Sequence, residues 1–203
     1  LLDDPAGGIR DPNVHYSGKK ILFSYRKSGT KTYHLYEIDA DGTNLRQLTG
    51  GPDNDIEPIY TPDGGIVFCS SRCHRFVPCW RTQVATLYRC DADGSNVRQL
   101  SFGEANEWDP AVLNDGRVIY TRWDYVDREA MPYMSLWATL PDGSNAQAIF
   151  GNYTLNPHCM FEPRAIPGSR KIVFTASAHH ANTAGSLVLL DTQRGADGPA
   201  AMA

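Results

Sequence analysis

Cysteine and histidine offer the most chemistry in this chain, and several of them crowd into short stretches. Arg72-Cys73-His74-Arg75-Phe76-Val77-Pro78-Cys79-Trp80 holds two thiols and an imidazole, and His158-Cys159 and His179-His180 follow. Thiolate and imidazole together form tetrahedral zinc sites. Cys73, His74, Cys79, His158, His179 and His180 are therefore the candidate metal ligands, although their spacing matches no standard finger or knuckle. The alternative is a Cys73–Cys79 disulfide clipping the loop, with His74 in solvent. In Cys69-Ser70-Ser71-Arg72-Cys73-His74 three residues separate the cysteines. The c-type haem motif has two, so covalent haem is not expected here. There is no Gly-x-Ser-x-Gly elbow and no glycine-rich phosphate loop after a strand. No catalytic and no cofactor-binding residue is assigned. Zinc is the one cofactor these donors suggest, and a haem enters only if another domain supplies it.

The elements that position these residues come from a repeat. Leu35-Tyr36-Glu37-Ile38-Asp39-Ala40-Asp41-Gly42-Thr43-Asn44 returns from Leu87, more weakly from Leu136, and in outline from Leu187, at intervals of 52, 49 and 51 residues. Each full copy reads as a hairpin whose Asp-Gly turn needs the positive φ that glycine supplies. Upstream lie the β-branched and aromatic runs Ile21-Leu22-Phe23, Ile66-Val67-Phe68, Val118-Ile119-Tyr120 and Ile172-Val173-Phe174. Before each run sits an acid–proline pair, Asp11-Pro12, Glu57-Pro58, Asp109-Pro110 or Glu162-Pro163, read as the start of strand A.

Four strands, A to D, in about 50 residues are the signature of a propeller blade. The expected fold is all-β: a β-propeller of four-stranded antiparallel blades, about four of them visible. It is read as a fragment of a larger propeller, with a closed four-bladed one as the alternative. Residues 1–191 form the propeller segment, with repeats at approximately 11–49, 57–101, 109–150 and 162–191. Residues 192–203 form a flexible tail or a truncated continuation.

The copies act as controls on one another. Cys69 shares a column with Ser24, Thr121 and Thr175, and Cys90 with Ile38, Thr139 and Leu190. Both cysteines are expected to be buried packing residues. Because strand direction alternates, the B–C and D–A connections emerge at one end. Cys73, His74, Cys79, His158, Cys159, His179 and His180 are all assigned to that end. The second B–C connection is the longest, 16 residues against 9, 13 and 10 in the others. The second-repeat and fourth-repeat groups should stay apart unless that loop folds inward. The four acids read either as a carboxylate ring or as caps on local amides. Trp123-Asp124-Tyr125-Val126-Asp127-Arg128 reads as a ligand rim or as local structure.

Composition limits the partners. Of 203 residues, 19 are Lys or Arg and 23 Asp or Glu, for a net charge of −4. Nucleic-acid binding rests on clustered basic charge, so no nucleic acid is expected. No apolar run approaches the roughly 20 residues of a membrane helix, so no membrane span is expected. Five cysteines, an odd number, make a poor disulfide framework.

The Asp-Ala-Asp-Gly-Thr/Ser-Asn copies followed by Arg-Gln-Leu resemble the WD40-like (PD40) repeats of TolB-type propellers. A narrower resemblance comes from Asn106-Glu107-Trp108-Asp109-Pro110, the stretch from Asn114 to Arg128, Pro163 to Lys171, and Thr175-Ala176-Ser177-Ala178-His179-His180. These segments are similar to the hydrazine synthase alpha subunit-like family of planctomycete-type bacteria, whose synthases carry c-type haems and a zinc. The resemblance implies a periplasmic or secreted protein whose Cys/His face binds a metal or packs on another domain of the chain or a protein partner. Without a two-spacer haem motif, hydrazine synthesis is not carried over. The segment is expected not to be catalytic by itself. The alternatives are an oxidoreductase-type active site completed by further domains and a TolB-like protein-interaction module.

Overall fold

The computed structural model describes residues 2–126, 133–179 and 184–203. Four antiparallel units follow one another. The first is β1 (Gly8–Val14), β2 (Lys20–Arg26), β3 (His34–Asp39) and β4 (Arg46–Gln47). The second is β5 (Asp55–Tyr60), β6 (Ile66–Ser70), β7 (Thr86–Cys90) and β8 (Arg98–Gln99). The third is β9 (Glu107–Val112), β10 (Val118–Trp123), β11 (Met134–Thr139) and β12 (Gln147–Phe150). The fourth is β13 (Cys159–Ala165), β14 (Lys171–Ser177) and β15 (Ser186–Asp191). Helix is confined, among the described residues, to two 3-10 turns of three residues each, Ser71–Cys73 and Pro199–Ala201. Neither is long or apolar enough to cross a membrane.

The last residues return to the fourth sheet, where Ala203 and Leu189 exchange hydrogen bonds of 2.8 and 2.9 Å and Ala201 is buried. This is the span from 192 that reads from sequence as a tail or a truncated continuation.

The first strands begin earlier than the sequence suggests, and each acid–proline pair lies within its strand. A β-bulge at that point shifts the register in all four, and each acid has φ between 51° and 55°. The bulge takes the proline, which lacks an N–H, out of the ladder. The carboxylates then join consecutive sheets. Asp11 accepts from the Glu57 N–H at 3.0 Å, Glu57 from the Asp109 N–H at 2.8 Å, and Asp109 from the Glu162 N–H at 3.0 Å. The caps are therefore made across repeats, not locally.

Between sheets the core is a series of apolar layers. Leu35 packs with Tyr60 and Ile66, Leu87 with Val118 and Tyr120, and Leu136 with Met160 and Phe174. Glycine closes the outer seam. A Cβ on Gly94 would lie 2.1 Å from the Leu48 carbonyl oxygen, and φ there is +89°. Both the turn and the contact with the preceding sheet demand glycine.

The third and fourth sheets are also joined by one parallel bridge, Met134 to Cys159. Strand pairing places Asn54, Asn106 and Cys159 in one column. The asparagine Oδ1 atoms accept from the N–H of Tyr33 and Ala85. Cysteine offers no such acceptor, and the corresponding N–H, of Met134, bonds the His158 carbonyl at 3.2 Å.

Candidate functional site

Pairing of Asp55 with Ser70, Glu107 with Arg122 and Cys159 with Ser177 brings the starts of the first strands beside the ends of the second. At this end the long second-repeat connection folds into a hairpin. Val84 donates to the Arg75 carbonyl at 2.8 Å, Val77 to that of Thr82 at 2.9 Å, and Phe76 bridges to Gln83. His74 provides the entry, at φ 52° after the 3-10 turn.

The base of the hairpin is held by a buried ion pair. Asp55 has no exposed surface and accepts from Ser70 Oγ at 2.7 Å and from Arg72 Nε and Nη2 at 3.2 and 2.7 Å. Arg75 Nη2 bonds the Gly103 carbonyl at 2.6 Å and ties the hairpin to the neighbouring loop.

The hairpin and the third and fourth sheets flank an open cavity of about 760 Å³. Trp80, Trp108, Trp123, Tyr125 and Phe161 line it with aromatic surface, beside Val77, Met134 and Ala178. Trp108 and Trp123 are nearly parallel, at 17° and 6.4 Å between centroids. Phe161 stands at 82° to Trp108, 5.5 Å away. Tyr125 and the His179 ring each lie 5.4 Å from Trp123, at 71° and 59°. Asn106, Thr82, Cys79, Cys159 and His179 supply the polar and sulfur atoms of the wall.

Three of the residues singled out from sequence, Cys79, Cys159 and His179, therefore share one cavity. The second and fourth repeats meet there because the loop folds inward. The others go elsewhere. Cys73 sits at the hairpin base, its Sγ donating to the Val84 carbonyl at 3.2 Å. His74 Nε2 lies 3.3 Å from Asp53, and His158 is exposed. His180 lies outside the described residues. All five cysteines are free, and no three His, Cys, Asp or Glu side chains among the described residues group as metal ligands. Cys69 and Cys90 are fully buried in strands, as their columns require. Burial pushes the Cys90 thiol up to about 12 and raises the Cys69 thiol well above its ordinary value.

Sequence reasoning missed Trp108 and Phe161 as wall residues, although the columns held the clue. At the Trp108 and Phe161 position the first two repeats carry Arg10 and Ile56. At the Trp123 position the other repeats carry Arg26, Ser71 and Ser177. The repeat packs without aromatic residues there.

Buried acids near this end are shifted upward, Asp109 among them. Burial raises the Glu107 carboxyl even though Ser101 and the Leu87 N–H bond it. Burial, then the charge of Asp109, pushes Glu57 up to about 7.

Comparison with known proteins bears on the fold. No family model matches the chain. An uncharacterized protein of Agrobacterium fabrum strain C58 is 25% identical over 103 residues, half of this chain and 32% of that protein. Hydrazine synthase of Kuenenia stuttgartiensis superposes with a TM-score of 0.75 at 18% identity, over 91% of this chain and 31% of that one. A putative TolB from Agrobacterium tumefaciens gives 0.68 at 19% identity, over 90% of this chain and 61% of that one. The chain thus resembles both the hydrazine synthase and the TolB-type structures in fold, and spans about a third of the first and less than two thirds of the second.

Proposed function

We propose that the four sheets are consecutive blades of a β-propeller within a longer, extracytoplasmic protein. The segment is a scaffold and binding unit, not a catalyst by itself. Its binding face is the end that carries the hairpin and the aromatic cavity. Leu187 carries this reading. Its counterparts Leu35, Leu87 and Leu136 are fully buried against the next sheet, whereas Leu187 is 75% exposed. An apolar residue left open on a face that is covered three times elsewhere is a docking surface for one more sheet of the same kind. The TolB-type neighbours support a periplasmic setting, and the partial span of both neighbours supports a longer chain.

The test is Leu187→Asp, made in the 203-residue chain and in the complete protein. Stability should barely change in the former and should drop by several kcal/mol in the latter, as for a charge buried in a core. An unchanged complete protein would remove the reading.

A metal-centred version is favoured by one observation, that Cys79, Cys159 and His179 line the same cavity. These three donors do not gather into the three-ligand set of a catalytic zinc. A redox or metal site here would draw its remaining ligands from another domain.

A further inference from the structure

The aromatic residues of the cavity exceed what the repeat needs, and their chemistry names a ligand. We infer that the cavity binds a flat aromatic ring system bearing an anionic group, of the class of an aromatic carboxylate. This rests on the reading of the hairpin end as the binding face. It is independent of whether a further blade covers Leu187.

Three observations lead to this class. First, aromatic side chains replace Arg10, Ile56, Arg26 and Ser71 only in the third and fourth repeats, where their rings face one space. The near-parallel Trp108 and Trp123, with Phe161 edge-on, offer both faces and edges to a planar guest. Stacked and edge-to-face arrangements are the favoured ones for aromatic pairs. Second, about 760 Å³ lies within the range of small-molecule sites, which are mostly apolar with a few polar groups. Asn106, Thr82 and His179 are the polar groups here.

Third, the hairpin side of the cavity carries unpaired positive charge. An aromatic box can also hold a quaternary ammonium by cation–π attraction. Here the described wall carries no carboxylate. In the hairpin Arg81 sits between the wall residues Trp80 and Thr82, and neither Arg81 nor Arg75 pairs with a carboxylate among the described residues, whereas Arg72 is neutralised by Asp55, and Asp124, between Trp123 and Tyr125, by Arg122. The acid next to Asn106 is Glu107, whose burial favours the uncharged form. Unpaired arginines beside an apolar wall that holds no carboxylate favour an anion over a cation.

The test is titration of the purified chain with 2-naphthoate, read by calorimetry and by tryptophan fluorescence. Trimethylphenylammonium and cyclohexanecarboxylate serve as competitors. Saturable binding is expected, with neither competitor displacing the probe at equal concentration. Trp80→Ala removes a wall residue that is 74% exposed, so folding is not at stake. It should weaken binding about tenfold, the scale of one stacked ring. Trp108→Ala should do the same or more. Phe102→Ala, a change at an exposed ring outside the cavity wall, should leave binding unchanged.

Four results would overturn the inference: no saturable binding by a folded protein, equal displacement by the ammonium compound, equal displacement by the saturated acid, or no effect of Trp80→Ala. If binding fails while Leu187→Asp behaves as expected, the ligand inference falls and the propeller reading stands.

Discussion

Arg72 anchors the hairpin through one buried carboxylate, and its removal should be among the costliest single changes in the second repeat. Asp55 has no exposed side-chain surface, and two of its three side-chain donors come from Arg72. His34 Nδ1 stands 3.7 Å away, beyond hydrogen-bond reach. In Arg72→Ala the carboxylate keeps only the Ser70 hydroxyl. An ion stranded in this way costs about 3–5 kcal/mol.

The repeat also supplies the compensating change. At the Asp55 position the first repeat carries Ile9 and the fourth Met160, so the fold accepts an apolar residue there. The double variant Asp55→Met/Arg72→Met should therefore lie within about 1 kcal/mol of the parent, since well-packed apolar replacements of buried ion pairs are often neutral or better. Urea unfolding followed by circular dichroism measures both. Limited proteolysis between residues 75 and 84 should accelerate in the single variant and not in the double. A loss below 1 kcal/mol in Arg72→Ala, or a double variant as damaged as the single, would refute the account.

Other outcomes follow from the same geometry. Glu57 holds its proton more tightly in the folded protein than its ordinary value of 4.5. Its contribution is complete below that value and is lost as pH rises through about 7. Glu57→Gln should flatten the decline in stability between pH 5 and 8, read as thermal midpoints across that range. A thiol reagent should label Cys79 within the mixing time, Cys73 more slowly, and Cys69, Cys90 and Cys159 only on unfolding, by mass spectrometry of quenched samples. Leu136→Ala should cost about 2–5 kcal/mol and Leu187→Ala almost nothing in the 203-residue chain, measured by denaturation. Elemental analysis of protein purified without chelator should find less than one metal per chain, because the described donors do not gather in threes.

What could be read from the sequence was what repetition enforces. Leucines at the start of β3, β7, β11 and just inside β15, the Asp-Gly turns and the β-branched second strands recur because each sheet must bury the same layer. The inert character of Cys69 and Cys90 followed from their sister residues alone. The bulge hid the rest. Proline after each acid looks like a strand boundary, so the residues just before it, Ile56, Trp108 and Phe161, read as connections. Once the bulge admits the proline, those residues belong to the first strand, and Trp108 and Phe161 face the same space as Trp123 on the second. The hairpin was equally out of reach, since its base depends on Arg72 finding Asp55 at the start of the first strand of the same sheet. Conformity to the repeat therefore marks residues that hold the fold, and departure from it marks residues free to do something else. By that measure Trp108, Trp123 and Phe161 are stronger functional candidates than the cysteines and histidines that first draw the eye.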